Sequence, residues 1–155
     1  MLAADGRQPC CQAGGQPEQL IDTVAGFYLP ALRQQGGAAR ATQLLRQSTM
    51  QSGFDGLAAR LAAIRRQHAL PDPGENDLNA WGYRLLARQQ PKQAIAVLQL
   101  AVQLYPASAN GHDSLAEAYE ADGATALAIA HYRRSAELDP GNTHAVARLR
   151  SLAAG

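Results

Sequence analysis

Asp113, Glu117 and Glu120 follow one another at intervals of four and three residues, which puts three carboxylates on one face of a helix. Paired carboxylates can exchange protons as general acid and base. Without a nucleophile nearby in the sequence, these three are expected to line a groove or to face water. The run His112-Asp113-Ser114 has the residue types of a hydrolytic triad. Successive helical residues point about 100° apart, so the three side chains cannot converge. The histidines, His68, His112, His131 and His144, lack the four-residue spacing of a helical ligand pair, and no metal site is expected from them. Cys10 and Cys11 are adjacent. A disulfide between neighbours closes a strained ring, and two thiolates cannot complete a tetrahedral zinc site, so exposed thiols without a role are expected there. Redox sensing or bridging between chains remains the other reading of the pair. The sequence has no Gly-x-Ser-x-Gly, Ser-x-x-Lys, His-Glu-x-x-His or Walker motif. No catalytic residue and no cofactor is therefore expected.

The elements that position these residues are legible in the composition. The chain has 155 residues, 14 Lys+Arg against 13 Asp+Glu, and a formal net charge of +1. That balance argues against a nucleic-acid binder, which gathers basic charge on one face. Hydrophobic residues make up 46% and aromatics only 5%, with 32 alanines. Alanine is the best helix former, and the β-branched and aromatic residues that strands favour are scarce, so the fold is expected to be all-α. No apolar run is long enough to cross a membrane. Residues Met1–Arg7 lack the basic and apolar regions of a signal peptide, so the chain as written reads as cytoplasmic.

Residues 1–16, rich in Gly, Pro and Gln, read as a disordered tail. Leu20, Ile21, Val24, Phe27, Tyr28 and Leu32 then repeat at helical steps, with a break expected near Leu29 because Pro30 removes a backbone donor. This stripe either packs within the chain or pairs two copies in a homodimer. Gly36-Gly37 is expected to stop that helix. A second helix is expected over about 38–50 with Leu44 and Leu45 inward, and a third over about 55–69 with Leu57, Leu61 and Ile64 inward and Arg60 and Arg66 in solvent. Pro71-Asp72-Pro73-Gly74 reads as a loop. Residues 17–74 thus form an N-terminal helical cap of about three helices.

The remainder repeats. Pro106 and Pro140 end similar phrases, Ala101-Val102-Gln103-Leu104-Tyr105-Pro106 and Ser135-Ala136-Glu137-Leu138-Asp139-Pro140, giving units 75–108 and 109–142. The spacing of the two prolines matches the period of about 34 residues of the tetratricopeptide repeat. The second unit resembles that family through Leu115, Ala116, Tyr119, Ala128, Tyr132, Ser135 and Pro140. The first does so through Leu78, Trp81, Gly82, Leu85, Ala94, Leu98, Ala101 and Pro106. His112 departs from an aromatic or Leu position near the start of the second unit, and Leu85 and Leu98 replace aromatics in the first. Small residues at Gly82/Ala116 and Ala94/Ala128 let the two helices of a unit approach closely, while Trp81/Leu115 and Leu98/Tyr132 fill the space between. Residues 143–155 read as a C-terminal capping helix carrying Val146 and Leu149, with Arg148 and Arg150 as polar surface. The resemblance implies a right-handed superhelical α–α solenoid of two repeats plus caps.

Residues from about Phe54 to Asn142 also resemble a narrower group, the C-terminal helical extension of bacterial secreted serine hydrolases of the β-lactamase and esterase type. The phrases carrying this are Asn79-Ala80-Trp81-Gly82-Tyr83-Arg84-Leu85-Leu86, Gln103-Leu104-Tyr105-Pro106 and His112–Tyr119. It implies an accessory module that positions or dimerises a catalytic domain, periplasmic or secreted if the chain is part of such a hydrolase. The broader resemblance implies a non-catalytic module that binds a peptide or helix on the concave face of its first helices. Matching positions are Asn76, Asn79, Tyr83, Asn110, Asp113, Glu117 and Glu120. Asparagines can bond a peptide backbone, Tyr83 supplies contact area, and the carboxylates favour a basic or neutral partner. Neither nucleic acid nor membrane insertion is expected. The basic and Asn clamp for a C-terminal carboxylate is excluded, because Asp113 and Glu117 stand at its positions.

Overall fold

The computed structural model describes residues 36–153, all within one unit, Gln34–Gly155. The expectations for the tail 1–16, for Cys10 and Cys11, and for the helix carrying Leu20 to Leu32 lie outside the described residues. Among the described residues the regular structure is entirely helical, with seven helices and no strand. The all-α expectation therefore holds. None of these helices is long and apolar enough to cross a membrane.

Helix α1 covers residues 36–52 and buries Ala41 and Leu45 completely. Gly36 and Gly37, expected to stop a helix, both lie within this one. The reason is packing: a Cβ on Gly37 would stand 2.9 Å from Pro71 Cδ, so the glycine lets α1 lie flush on the Pro71–Pro73 loop. Thr42 and Thr49 are buried without penalty because their hydroxyls donate back to the Ala38 and Arg46 carbonyls at 3.1 and 2.6 Å. Gly53, at φ 74°, ends the helix. Helix α2, Leu57–His68, turns Leu57 and Leu61 inward and leaves Ile64 half-buried. Arg66 faces solvent as expected, but Arg60 folds back. Its guanidinium donates to the carbonyls of Gly53 at 2.6 Å and Asp55 at 2.9 Å, satisfying oxygens of the α1–α2 turn.

The next five helices carry the repeat. They are α3 (Glu75–Ala87), α4 (Pro91–Leu104), α5 (Ala109–Ala121), α6 (Thr125–Leu138) and α7 (Thr143–Ala153). The starts of α3, α5 and α7 fall 34 residues apart, as do both ends of α4 and α6. The turns repeat as well. Gln90 N–H donates to Leu85 O at 3.0 Å, and 34 positions on Ala124 N–H donates to Tyr119 O at 2.8 Å. Both turns need a left-handed residue, which is Gly123 in one and Gln89 in the other. Helix α3 packs on α4, α4 on α5, α5 on α6 and α6 on α7, with α3 also touching α5.

The small residues sit where the helices cross. Ala94, Ala116 and Ala128 are fully buried, and a Cβ on Gly82 would lie 2.7 Å from Leu98 Cγ. Leu78, Trp81, Leu98, Leu115 and Tyr132 fill the core between them, and each fully buried leucine contributes about 1.5–3 kcal/mol. Val146 and Leu149 are only half-buried. Ala145 is the residue that α7, the last described helix, buries completely.

Candidate functional site

The first turns of α3, α5 and α7 present equivalent positions, Asn76, Asn110 and His144, each 34 residues from the next. Asn76 and Asn110 are exposed. His144 is exposed as well but leans toward α5. Its Nδ1 lies 3.0 and 3.2 Å from the two carboxylate oxygens of Asp113, and 3.7 Å from Glu117 Oε1. One turn further along α7, Arg148 grips Glu120 with both arms of its guanidinium, Nε donating to Oε2 at 3.1 Å and the terminal nitrogen to Oε1. The Tyr132 hydroxyl of α6 also donates to Glu120 Oε2 at 3.1 Å, and the Tyr132 ring meets the His144 ring edge-on at 6.0 Å. A cleft of about 430 Å³ opens among Glu117, Glu120, Ala121, Tyr132, His144 and Arg148.

On the α3 side, Tyr83 is 41% exposed, and its hydroxyl accepts a hydrogen bond from the fully buried Ser114 at 3.2 Å. Ser114 and Arg148 occupy the same repeat position, so each holds a residue of the preceding odd-numbered helix. The structure thus brings Tyr83, Asp113, Glu117 and Glu120 into one polar strip, completed by Ser114, Tyr132, His144 and Arg148. Asn79 and Asp113 are not open contact residues as expected: they are only 5% and 9% exposed. The His144 ring covers Asp113. Asn79 is enclosed with neither side-chain atom hydrogen-bonded, an arrangement that costs about 1–3 kcal/mol. Asn76 and Asn110 make no side-chain hydrogen bond to the strip among the described residues.

Burial, and then the negative charge of Asp113, push the Glu117 carboxyl above its ordinary range, with His144 pulling the other way. Burial also raises the Tyr83 and Tyr132 hydroxyls, aided by the negative charge of Glu117 and Asp113. Three carboxylates meet one permanent cation, so the strip carries a net charge of −2 when His144 is neutral.

The triad types at 112–114 diverge as their helical placement requires. His112 turns away to α6, where its Nδ1 lies 3.0 Å from His131 Nδ1 and its ring stacks on His131 at 5.2 Å. Its Nε2 faces the Pro106 carbonyl at 3.3 Å, which fixes Nε2 as the donor and His131 Nδ1–H as the proton shared between the rings. Desolvation lowers the pKa of both imidazoles. Among the described residues no serine hydroxyl bonds a histidine nitrogen. His144, Arg148, Ser114 and Tyr132 were not foreseen as members of the site. Carrying the Asn76–Asn110 position one period further reaches His144, and Ser114 leads to Arg148 in the same way. No protein-family model matches the sequence, and no curated protein matches it.

Proposed function

We propose that residues 75–153 are a tetratricopeptide-type repeat module with a terminal cap, and that its α3–α5–α7 face binds a protein partner as a peptide or helix without catalysing a reaction. The observation that carries this reading is the placement of the exposed Tyr83 of α3 beside Glu117 of α5 at the edge of the cleft that runs to α7. An aromatic anchor next to a carboxylate that no Lys or Arg among the described residues pairs with suits a Lys or Arg side chain and its apolar stem. The 34-residue register of the helices supports the repeat assignment. The net negative strip favours basic or neutral partners, and the Arg148 fork leaves Glu117, rather than Glu120, to receive an incoming cation.

The test is a fluorescence-anisotropy screen of defined basic, neutral and acidic peptides against the full chain. Basic and neutral peptides are expected to bind, with affinity falling as salt rises. Glu117→Lys and Tyr83→Ala are each expected to weaken binding about tenfold or more, in line with the loss of an interface anchor. Equal binding of acidic peptides, or capture unchanged in both variants, refutes the reading.

A further inference from the structure

We propose that Asp113 and Glu117 of α5 and His144 of α7 form a site for one divalent cation of the zinc class, which fastens the terminal helix to α5. The three side chains come from two helices and point ligand atoms at a common centre. Those atoms all lie within 4.8 Å of one another. His144 Nδ1 stands 3.0 Å from Asp113 Oδ2 and 3.7 Å from Glu117 Oε1. Metal–ligand bonds of about 2.0–2.2 Å in a tetrahedral site hold ligand atoms roughly 3.3–3.5 Å apart. The two edges that meet at His144 Nδ1 come within a few tenths of an ångström of that spacing, and the Asp113–Glu117 edge stays within 4.8 Å. One imidazole and two carboxylates suit zinc and its late first-row neighbours better than calcium or magnesium, which favour all-oxygen shells.

Charge and access point the same way. The Asp113 side chain is 12% exposed, and among the described residues no Lys or Arg pairs with it. Arg148, one turn along α7 from His144, is engaged bidentately by Glu120. The close partner of Asp113 is the His144 imidazole rather than a permanent cation, so a divalent ion adds a countercharge there. Glu117 and His144 line the 430 Å³ cleft, so the remaining coordination position opens to water and the ion has a route of entry. The Tyr132 ring packs edge-on against the imidazole at 6.0 Å.

The site is tested on the full chain with Cys10→Ser and Cys11→Ser, which removes thiolate ligands without touching the described residues. Titration with Zn²⁺ by calorimetry is expected to saturate at one equivalent. Co²⁺ is expected to give visible ligand-field bands without the near-ultraviolet charge transfer of thiolate. Zn²⁺ is also expected to raise the thermal midpoint. His144→Ala and Glu117→Gln should each weaken binding at least tenfold and abolish the thermal shift, while His68→Ala changes neither. Absence of saturable binding overturns the proposal, and so does binding that survives His144→Ala undiminished. Because the peptide screen is run separately in the presence of chelator, failure of the metal site leaves the peptide reading standing, and the converse holds.

Discussion

Gly82 is the position at which the hairpin of α3 and α4 is most exposed to perturbation. A Cβ there would stand 2.7 Å from both Cγ and Cδ2 of Leu98 and 2.9 Å from Cδ1. Leu98 is fully buried, and Cγ is not a flexible tip, so the leucine cannot swing clear. Glycine to alanine inside a helix ordinarily stabilises by about 0.5–1 kcal/mol. Overpacking a closed core costs about 1–3 kcal/mol. The second effect wins, and Gly82→Ala is expected to destabilise by roughly 0.5–2 kcal/mol, even though the equivalent position in the next hairpin, Ala116, already holds alanine. Leu98→Ala alone should cost about 2–5 kcal/mol by leaving a cavity. In the double variant the new methyl occupies part of that cavity, so the two changes should couple favourably by about 1–3 kcal/mol. Urea denaturation followed by far-ultraviolet circular dichroism measures all four corners of the cycle. Stabilisation by Gly82→Ala, or strict additivity with Leu98→Ala, would refute the close approach of the helices.

Two further outcomes follow from local features. Gln89 holds a left-handed backbone at φ 58° where the next turn uses Gly123, so Gln89→Gly is expected to stabilise by up to about 1 kcal/mol, read from the urea midpoint. The His112–His131 pair has lowered pKa values in the fold, with burial the main cause, the partner imidazole adding to it at His131 and Arg134 at His112, while the Pro106 carbonyl opposes the shift at His112. The unfolded chain therefore binds more protons near pH 6. The pair's contribution is complete above the ordinary value of 6.5 and is lost as pH falls below it. Stability measured from pH 7.5 to 5.5 should decline, and His131→Phe, which keeps the stack on Tyr119, should flatten that decline; an unchanged slope would remove the pair as its source.

Local chemistry along the chain was enough to set the helical class, the 34-residue period, the small residues at Gly82, Ala94, Ala116 and Ala128, and the ends of α4 and α6 before Pro106 and Pro140. Alanine content, three- and four-residue apolar spacing and prolines that cannot continue a helix all act within a few residues of themselves. The shared face of Asp113, Glu117 and Glu120 was legible for the same reason. What tertiary structure alone decided is which partners that face meets. Asp113 and His144 are 31 residues apart in sequence, Glu120 and Arg148 are 28 apart, and Tyr83 and Ser114 are 31 apart. Their meeting depends on how α3, α5 and α7 line up. The same packing enclosed Asn79, turned His112 toward α6, and favoured glycine at position 37 of α1, where Pro71 stands too close for a Cβ. Periodicity fixes the direction in which a side chain leaves its own helix, and only the packing of another helix settles what it finds there.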